Sequence, residues 1–198
     1  MSSKQVLLGN CQRGHTFIVS APAGTGKTTL VEMLTKEFDC VKMSISSTTR
    51  PKRPGEVDGV HYFFLSEEEF SAQVAAGEFL EHVTLFGYRY GTSRRAVEEI
   101  KAAGKHAILV IDTQGALHLM GKEKAVFIFL MPPSLEELGH RLMERGTETP
   151  ESLSSRLSEA GREIAVATAY HYVIINDDLL TAYEVLRSIV IAEEHRVR

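Results

Sequence analysis

The stretch Ala21-Pro22-Ala23-Gly24-Thr25-Gly26-Lys27-Thr28-Thr29 constrains the fold of this chain more than any other. Before it, Thr16-Phe17-Ile18-Val19-Ser20 reads as a short buried strand. After it, Leu30, Val31, Leu34 and Phe38 recur at helical spacing. A strand, a glycine-bearing turn and a helix in that order make a P-loop. Gly24 and Gly26 permit backbone conformations that a side chain blocks. Backbone N–H groups and the helix N-terminus then point at a polyphosphate, Lys27 reaches its β/γ oxygens, and the Thr28 hydroxyl ligates Mg²⁺. Ala21 stands where the G-x-x-x-x-G-K-[ST] pattern has its first glycine, a change tolerated if φ there is negative. The bland alternative, a turn with an incidental lysine, leaves the strand–loop–helix order unexplained.

The totals bound what surrounds this loop. A chain of 198 residues suits one domain with a good core, able to carry mobile subdomains. A net charge of -4 argues against a nucleic-acid partner, which needs a basic face, yet leaves room for local arginine clusters that bind small anions. Cys11 and Cys40 are the only cysteines and match no zinc spacing, so they read as free thiols. The eight histidines form no metal-spaced pair; His106 and His171 flank strand starts and take no catalytic role. No apolar run approaches the ~20 residues of a membrane span, and the N-terminus lacks a signal peptide's apolar core. The expectation is a cytoplasmic protein with no membrane partner, monomeric or a small homo-oligomer.

Residues 1–14 are polar and read as a loosely held lead-in. A second strand is expected over Cys40–Ser46. Periodicity then breaks between Ser47 and Glu56, and short β-like runs follow at His61–Leu65, Phe79–Thr84 and Tyr88–Tyr90. Ser66 and Glu69 form a capping box for a helix stopping at Gly77; Thr92 or Ser93 caps another, closed by Gly104. The core pattern resumes with His106–Ile111, ending in Asp112, and with Ala125–Met131, stopped by Pro132-Pro133. Such near-continuous apolar runs suit parallel strands buried on both faces. Ser134 and Glu137 box the start of a helix ending at Gly146, and Thr149-Pro150 opens the next. Tyr172–Asn176 is the fifth core strand and Leu179 to about Arg196 the last helix. Alternating strands and helices predict an α/β three-layer fold around a five-stranded parallel sheet. The expected core comprises 15–43, 96–133 and 161–198, with a small α+β insertion over about 44–95 and a helical lid over about 134–160.

The second informative stretch is Ser46-Ser47-Thr48-Thr49-Arg50-Pro51-Lys52-Arg53-Pro54-Gly55-Glu56. Pro51 and Pro54 stiffen it, which lowers the entropy cost of presenting Arg50 and Arg53. Two preset guanidinium forks suit one phosphate dianion. This Ser-x-Thr-Thr-Arg-x-x-Arg-x-Gly-Glu order, with Gly59 and Tyr62, resembles the GMP-binding segment of bacterial-type guanylate kinases. The likeness continues through Phe79-Leu80-Glu81, Tyr88-Arg89-Tyr90-Gly91-Thr92, Ile111-Asp112-Thr113-Gln114-Gly115, Arg145-Gly146-Thr147-Glu148-Thr149 and Val173-Ile174-Ile175-Asn176-Asp177-Asp178. It covers almost the whole chain.

The resemblance implies a nucleoside monophosphate kinase that moves the γ-phosphoryl group of ATP, with Mg²⁺, to GMP and dGMP. It implies that the 44–95 insertion binds GMP: its phosphate on Arg50, Arg53, Tyr62 and Tyr90, its base on Ser46, Glu81, Thr92 and Asp112. It matches Arg145 and Arg156 to lid arginines that close on the transferring group, Arg141 to the ATP side, and Asn176 to the adenine site. Guanine offers an O6 acceptor beside N1–H and N2–H₂ donors, so a hydroxyl and carboxylates are suitable readers. One departure concerns Asp112. The family usually shows Asp-Ile-Asp, whereas this chain has Val110-Ile111-Asp112. Asp112 therefore reads guanine, supports Mg²⁺, or serves both through water. Two other readings are a monophosphate kinase of different base preference and a non-catalytic guanylate-kinase-like scaffold that binds phosphopeptides. Scaffold domains tend to have eroded P-loops, and here Gly24, Gly26, Lys27 and Thr28 are all present.

Overall fold

Apolar strands need cover on both faces, and the order in which helices follow them supplies it. The computed structural model of the chain describes residues 6–144 and 149–197. In chain order the first elements are β1 (Thr16–Ser20), α1 (Lys27–Glu37), β2 (Val41–Met43), β3 (Ser47–Thr48), β4 (Phe63–Phe64) and α2 (Glu67–Ala75). There follow β5 (Phe79–Leu85), β6 (Tyr88–Ser93), α3 (Arg94–Ala102), β7 (His106–Val110), α4 (Thr113–Leu119) and β8 (Val126–Met131). The last are α5 (Leu135–Glu144), α6 (Pro150–Ala165), β9 (Tyr172–Ile175) and α7 (Leu179–Glu194).

Five strands pair in parallel in the order β2-β7-β1-β8-β9. The central strand β1 is buried along its whole length. On one face Leu30, Leu34, Leu186 and Val190, from α1 and α7, pack against Phe17, Val19 and Ile128. On the other, Val97 and Leu119 from α3 and α4 pack with Ile18, Leu109, Phe127 and Tyr170. Leu34 is fully buried, so truncating it to alanine costs about 2–5 kcal/mol through lost transfer energy and the cavity left behind.

A second sheet of order β4-β3-β6-β5 carries the insertion. It is anchored on α2 by Phe70, whose ring stacks on Phe79 at 4.7 Å. Ser47–Thr48 belongs to this sheet, so the expected strand over 40–46 ends at Met43 and the chain changes sheets there. A register shift between Phe79 and Glu81 makes Leu80 the extra residue of a β-bulge, and Phe79 and Glu81 on either side of it are both buried.

The expected caps are found at Ser66, where both halves of the box form, at Ser93, and at Thr149, where Ser152 completes the box and Pro150 opens α6. At Ser134 the described half is Glu137 N–H donating to Ser134 Oγ at 3.0 Å. The proposed helix end at Gly146 lies outside the described residues. The short helix α4 was not anticipated; Asp112 starts it by accepting from the N–H groups of Gln114 and Gly115.

The reading of residues 1–14 as loosely held is corrected from Leu8 onward. Leu8 is buried, and the backbone N–H groups of Gly9 and Asn10 donate to the Glu194 carboxylate at 2.7 and 2.9 Å. His106 Nδ1 accepts from His15 N–H, so its Nε2–H is the proton given to Glu194 at 2.7 Å. Cys11 Sγ lies beside that pair as a free thiol. With donors and acceptors matched in this way, the cluster is a clasp between the lead-in and the last turn of α7. Burial alone would raise the Glu194 carboxyl, but the hydrogen bonds from Asn10, Gly9 and His106 outweigh it and hold it at about 2.

Candidate active site

The P-loop leaves β1 and enters α1 with Gly26 as N-cap, and no side chain caps the helix. Its first-turn N–H groups are therefore available to an anion, with the positive end of the helix dipole behind them. Gly24 and Gly26 hold φ of +93° and +90°, where L side chains are strained. A β-carbon on Gly24 would press into Leu142 at 2.9 Å, and one on Gly26 into Asn176 Nδ2 at 2.8 Å. Phe86 is the only non-glycine described with positive φ, so the methyl group of Ala21 is accommodated as expected. Pro22 O accepts from Thr25 N–H and Oγ1, closing the loop on itself. Asn176, buried at the end of β9, donates from Nδ2 to Thr25 O at 2.7 Å and braces the loop from beneath. Lys27 Nζ donates to Ala21 O, while Thr28 and Thr29 are exposed on the first turn of α1.

Two cavities meet beside this loop. The smaller, of about 340 Å³, runs along Ala21, Ala23, Gln114, Ser155, Glu159 and Glu163. The larger, of about 690 Å³, lies between the sheets and is lined by Ser46, Arg53, Tyr62, Glu81, Tyr90 and Gly91, among others. Lys27, Phe86, Asp112 and Arg156 line both. The structure thus gathers most of the candidates from 21–29, 46–62, 81–92 and 112 around one bipartite space.

At the inner end of the larger cavity Glu81 is 4% exposed and accepts from Thr92 Oγ1 at 2.6 Å. Burial, with the negative charge of Asp112 nearby, pushes its carboxyl up to about 7 against the pull of Thr92. Gly115 makes this arrangement possible, since a β-carbon there would stand 2.6 Å from Glu81 Oε2. Asp112, held by the start of α4, is likewise raised by burial.

At the outer end Tyr62 and Tyr90 meet edge to face at 6.0 Å. Arg50, however, is not a waiting fork. It is 7% exposed, pairs with Glu56 Oε1 at 2.6 Å, donates to Pro51 O, and lies over the rings of Tyr62 and Phe64. Glu56 Oε2 also accepts from Arg53 N–H at 2.7 Å, so this acid shapes the turn that carries both arginines. Its sequence signal was available: an acid three residues beyond Arg53, inside the motif itself.

Arg141 donates to Glu137 Oε1 at 2.8 Å and to Asn176 O at 2.9 Å, tying α5 to the loop after β9. Arg156 stands on α6 with its guanidinium 5.2 Å from the centre of the Phe86 ring. Arg145 lies outside the described residues. Sequence reading missed Glu163, which accepts from Thr113 Oγ1 at 3.1 Å and is pushed up to about 7, chiefly by burial. On α6 it reads as one more acid of a solvated helix, and nothing in its spacing marks it as half-buried.

A divalent cation has suitable donors here. Thr28 Oγ1 is exposed beside the loop, and the carboxylates of Asp112 and Glu163 face the same cavity, a hard oxygen set of the kind Mg²⁺ takes together with water and phosphate oxygens.

The profile of the family described as guanylate kinase matches residues 13–193. A guanylate kinase of Protochlamydia amoebophila is 56% identical over 192 residues, covering 97% of this chain and 98% of that protein. The crystal structure of guanylate kinase from Anaplasma phagocytophilum superposes with a TM-score of 0.76 at 35% identity, over 94% of this chain and 89% of that one. The SH3-kinase fragment of tight junction protein 3 shares the fold at 12% identity and a TM-score of 0.52, over 94% of this chain and 59% of that one. No helix among the described residues is long and apolar enough to cross a membrane. A match of this length and identity, over a site of this construction, means that the chain belongs to the guanylate kinase family.

Proposed function

We propose that this chain catalyses MgATP + GMP ⇌ ADP + GDP, with dGMP as an alternative acceptor, and that the larger cavity takes GMP while the P-loop and smaller cavity take ATP. The observation that carries this reading is the shared wall of Lys27, Asp112 and Arg156, which joins the cavity beside the P-loop to the one that holds Glu81. In the pocket, Glu81 and Asp112 accept from guanine N1–H and N2–H₂, while Ser46 and Thr92 supply hydroxyls, one of which donates to O6. Adenine would set an unprotonated N1 against these carboxylates, a mismatch that such sites reject strongly. Arg53, Tyr62 and Tyr90 receive the GMP phosphate, with Arg50 behind the tyrosines, its pairing with Glu56 loosening as the phosphate arrives.

A GMP phosphate oxygen attacks the γ-phosphorus in line, the bond to the β–γ bridging oxygen breaks, and ADP leaves with that electron pair. The phosphate of a nucleotide has lost its second proton by neutral pH, so no general base is required. What remains is positioning and neutralisation of charge on the equatorial oxygens. Lys27 follows charge from the β/γ bridge, and Arg156 and Arg145 approach from the 134–160 lid. Arg141 and Asn176 line the adenine side, and residues 44–95 move as the GMP-binding unit. Thr28 would hold Mg²⁺, with Asp112 and Glu163 facing the same space, and the ion would supply neutralisation of the β- and γ-phosphates. A coupled ADP-release assay with GMP, dGMP, AMP, CMP and UMP tests the reading. Turnover with GMP and dGMP far above the other three supports it, and equal rates with AMP refute the base assignment.

A further inference from the structure

We propose that Phe86 is a positioning residue for phosphoryl transfer, its ring holding the Arg156 guanidinium at the seam between the two cavities. The inference rests on the kinase reading given above.

Phe86 and Gly87 form the two-residue tip of the β5–β6 hairpin, following the paired Leu85 and Tyr88. Their φ values are +51° and +82°, as in the mirror-image turns that suit right-twisted strands. Asn, Asp or Gly fills the first such position without strain, whereas an aromatic side chain does not. Burial does not explain its presence, because the residue is 67% exposed. An apolar ring kept in a strained, solvated position points to a contact made outside the hairpin.

That contact is Arg156, on a different element and 5.2 Å from the ring centre. Both residues line both cavities, together with Lys27 and Asp112, along the route between donor and acceptor. An aromatic face is suited to such a task. A ring attracts the guanidinium through its quadrupole and brings no opposing charge of its own to the seam. The hairpin belongs to the GMP side and α6 to the lid side, so this contact bridges the two.

The test compares Phe86→Asn, Phe86→Tyr and Arg156→Ala, singly and combined, in melting curves and in GMP kinase kinetics. Asparagine suits the turn better than phenylalanine, so the melting temperature of Phe86→Asn should hold or rise. Its kcat should fall about 3- to 30-fold, the range a partly desolvated cation–π contact supports, with both KM values within about twofold. Phe86→Tyr should recover most of the loss, and Phe86→Asn should cost nothing further on the Arg156→Ala background. Unchanged kcat in Phe86→Asn, or losses that multiply in the double variant, would overturn the proposal. The chain has no tryptophan, so Phe86→Trp adds a readout independent of turnover. Adding Arg156→Ala to it should change the indole emission without nucleotide, and identical spectra overturn the contact. A wild-type protein unable to phosphorylate GMP, with emission still dependent on Arg156, would instead refute the kinase reading and leave the contact standing.

Discussion

Replacing Glu81 by glutamine should make the protein more stable and a worse enzyme, and both magnitudes follow from the site. The Glu81 carboxyl is lifted from 4.5 to about 7, mainly by burial. Between those values the unfolded chain releases the proton while the folded protein keeps it. The folded state then binds more protons, so stability falls as pH rises through the window. Well above pH 7 the full difference, about 3 kcal/mol, weighs against the ligand-free fold. An uncharged amide removes that burden. For a chain of this size Glu81→Gln should therefore melt roughly 5–10 °C higher at pH 8 and at nearly the same temperature at pH 4.5. The catalytic effect runs the other way, because the amide turns one acceptor into a donor facing guanine's own donors. Loss of a hydrogen bond to a charged group costs about 1.5–3 kcal/mol, a fall of roughly 10- to 150-fold in kcat/KM for GMP. AMP, which gains nothing from the carboxylate, should lose much less. Calorimetry at both pH values beside GMP and AMP kinetics reads all four quantities. A lower melting temperature at pH 8, or proportional losses with both nucleotides, would refute the reasoning and make Glu81 a structural acid.

Lys27→Ala should fold normally and lower phosphoryl transfer by orders of magnitude, since its ammonium tracks charge into the transition state; wild-type turnover in a folded variant would remove it from the mechanism. Glu194, held at about 2, contributes stability above pH 4.5 that is lost as pH falls towards 2, about 3 kcal/mol in all. Glu194→Ala should flatten that acid limb in a pH–denaturation series and open residues 9–14 to proteolysis, and an unchanged limb would contradict the clasp. Hydrogen exchange with GMP plus a non-hydrolysable ATP analogue should show new protection over 44–95 and 134–160, because the transferring group must be shielded from water. Identical exchange with and without the two nucleotides would argue against closure.

The P-loop, the five core strands and the helix caps were legible in the sequence because each is a local device. Gly24 and Gly26 announce their backbone angles, Ser66 and Glu69 lie one helical turn apart, and β8, like the Phe17–Val19 centre of β1, declares burial on both faces by its unbroken apolar run. Of the residues that the motif order of 46–62 and 81–92 named, Ser46, Arg53, Tyr62, Glu81 and Tyr90 line the larger cavity, whereas Arg50 and Thr92 do not. What local pattern could not convey is pairing across the chain. Glu81 meets the Thr92 hydroxyl only because the register of β5 against β6 sets those two residues opposite each other. Gly115 had no visible reason to be glycine until the Glu81 carboxylate stood against it. Arg50 and Arg53 read as two open forks, and the folded turn joins Arg50 to Glu56 instead. Glu163 and Glu194 each sit on a helix where an acid ordinarily reads as solvated; one is half-buried against Thr113 and the other reaches Gly9, 185 residues away. Periodicity reports which way a side chain faces. The charge it carries, the protons it holds and the partner it meets depend on groups that only the folded chain brings within reach.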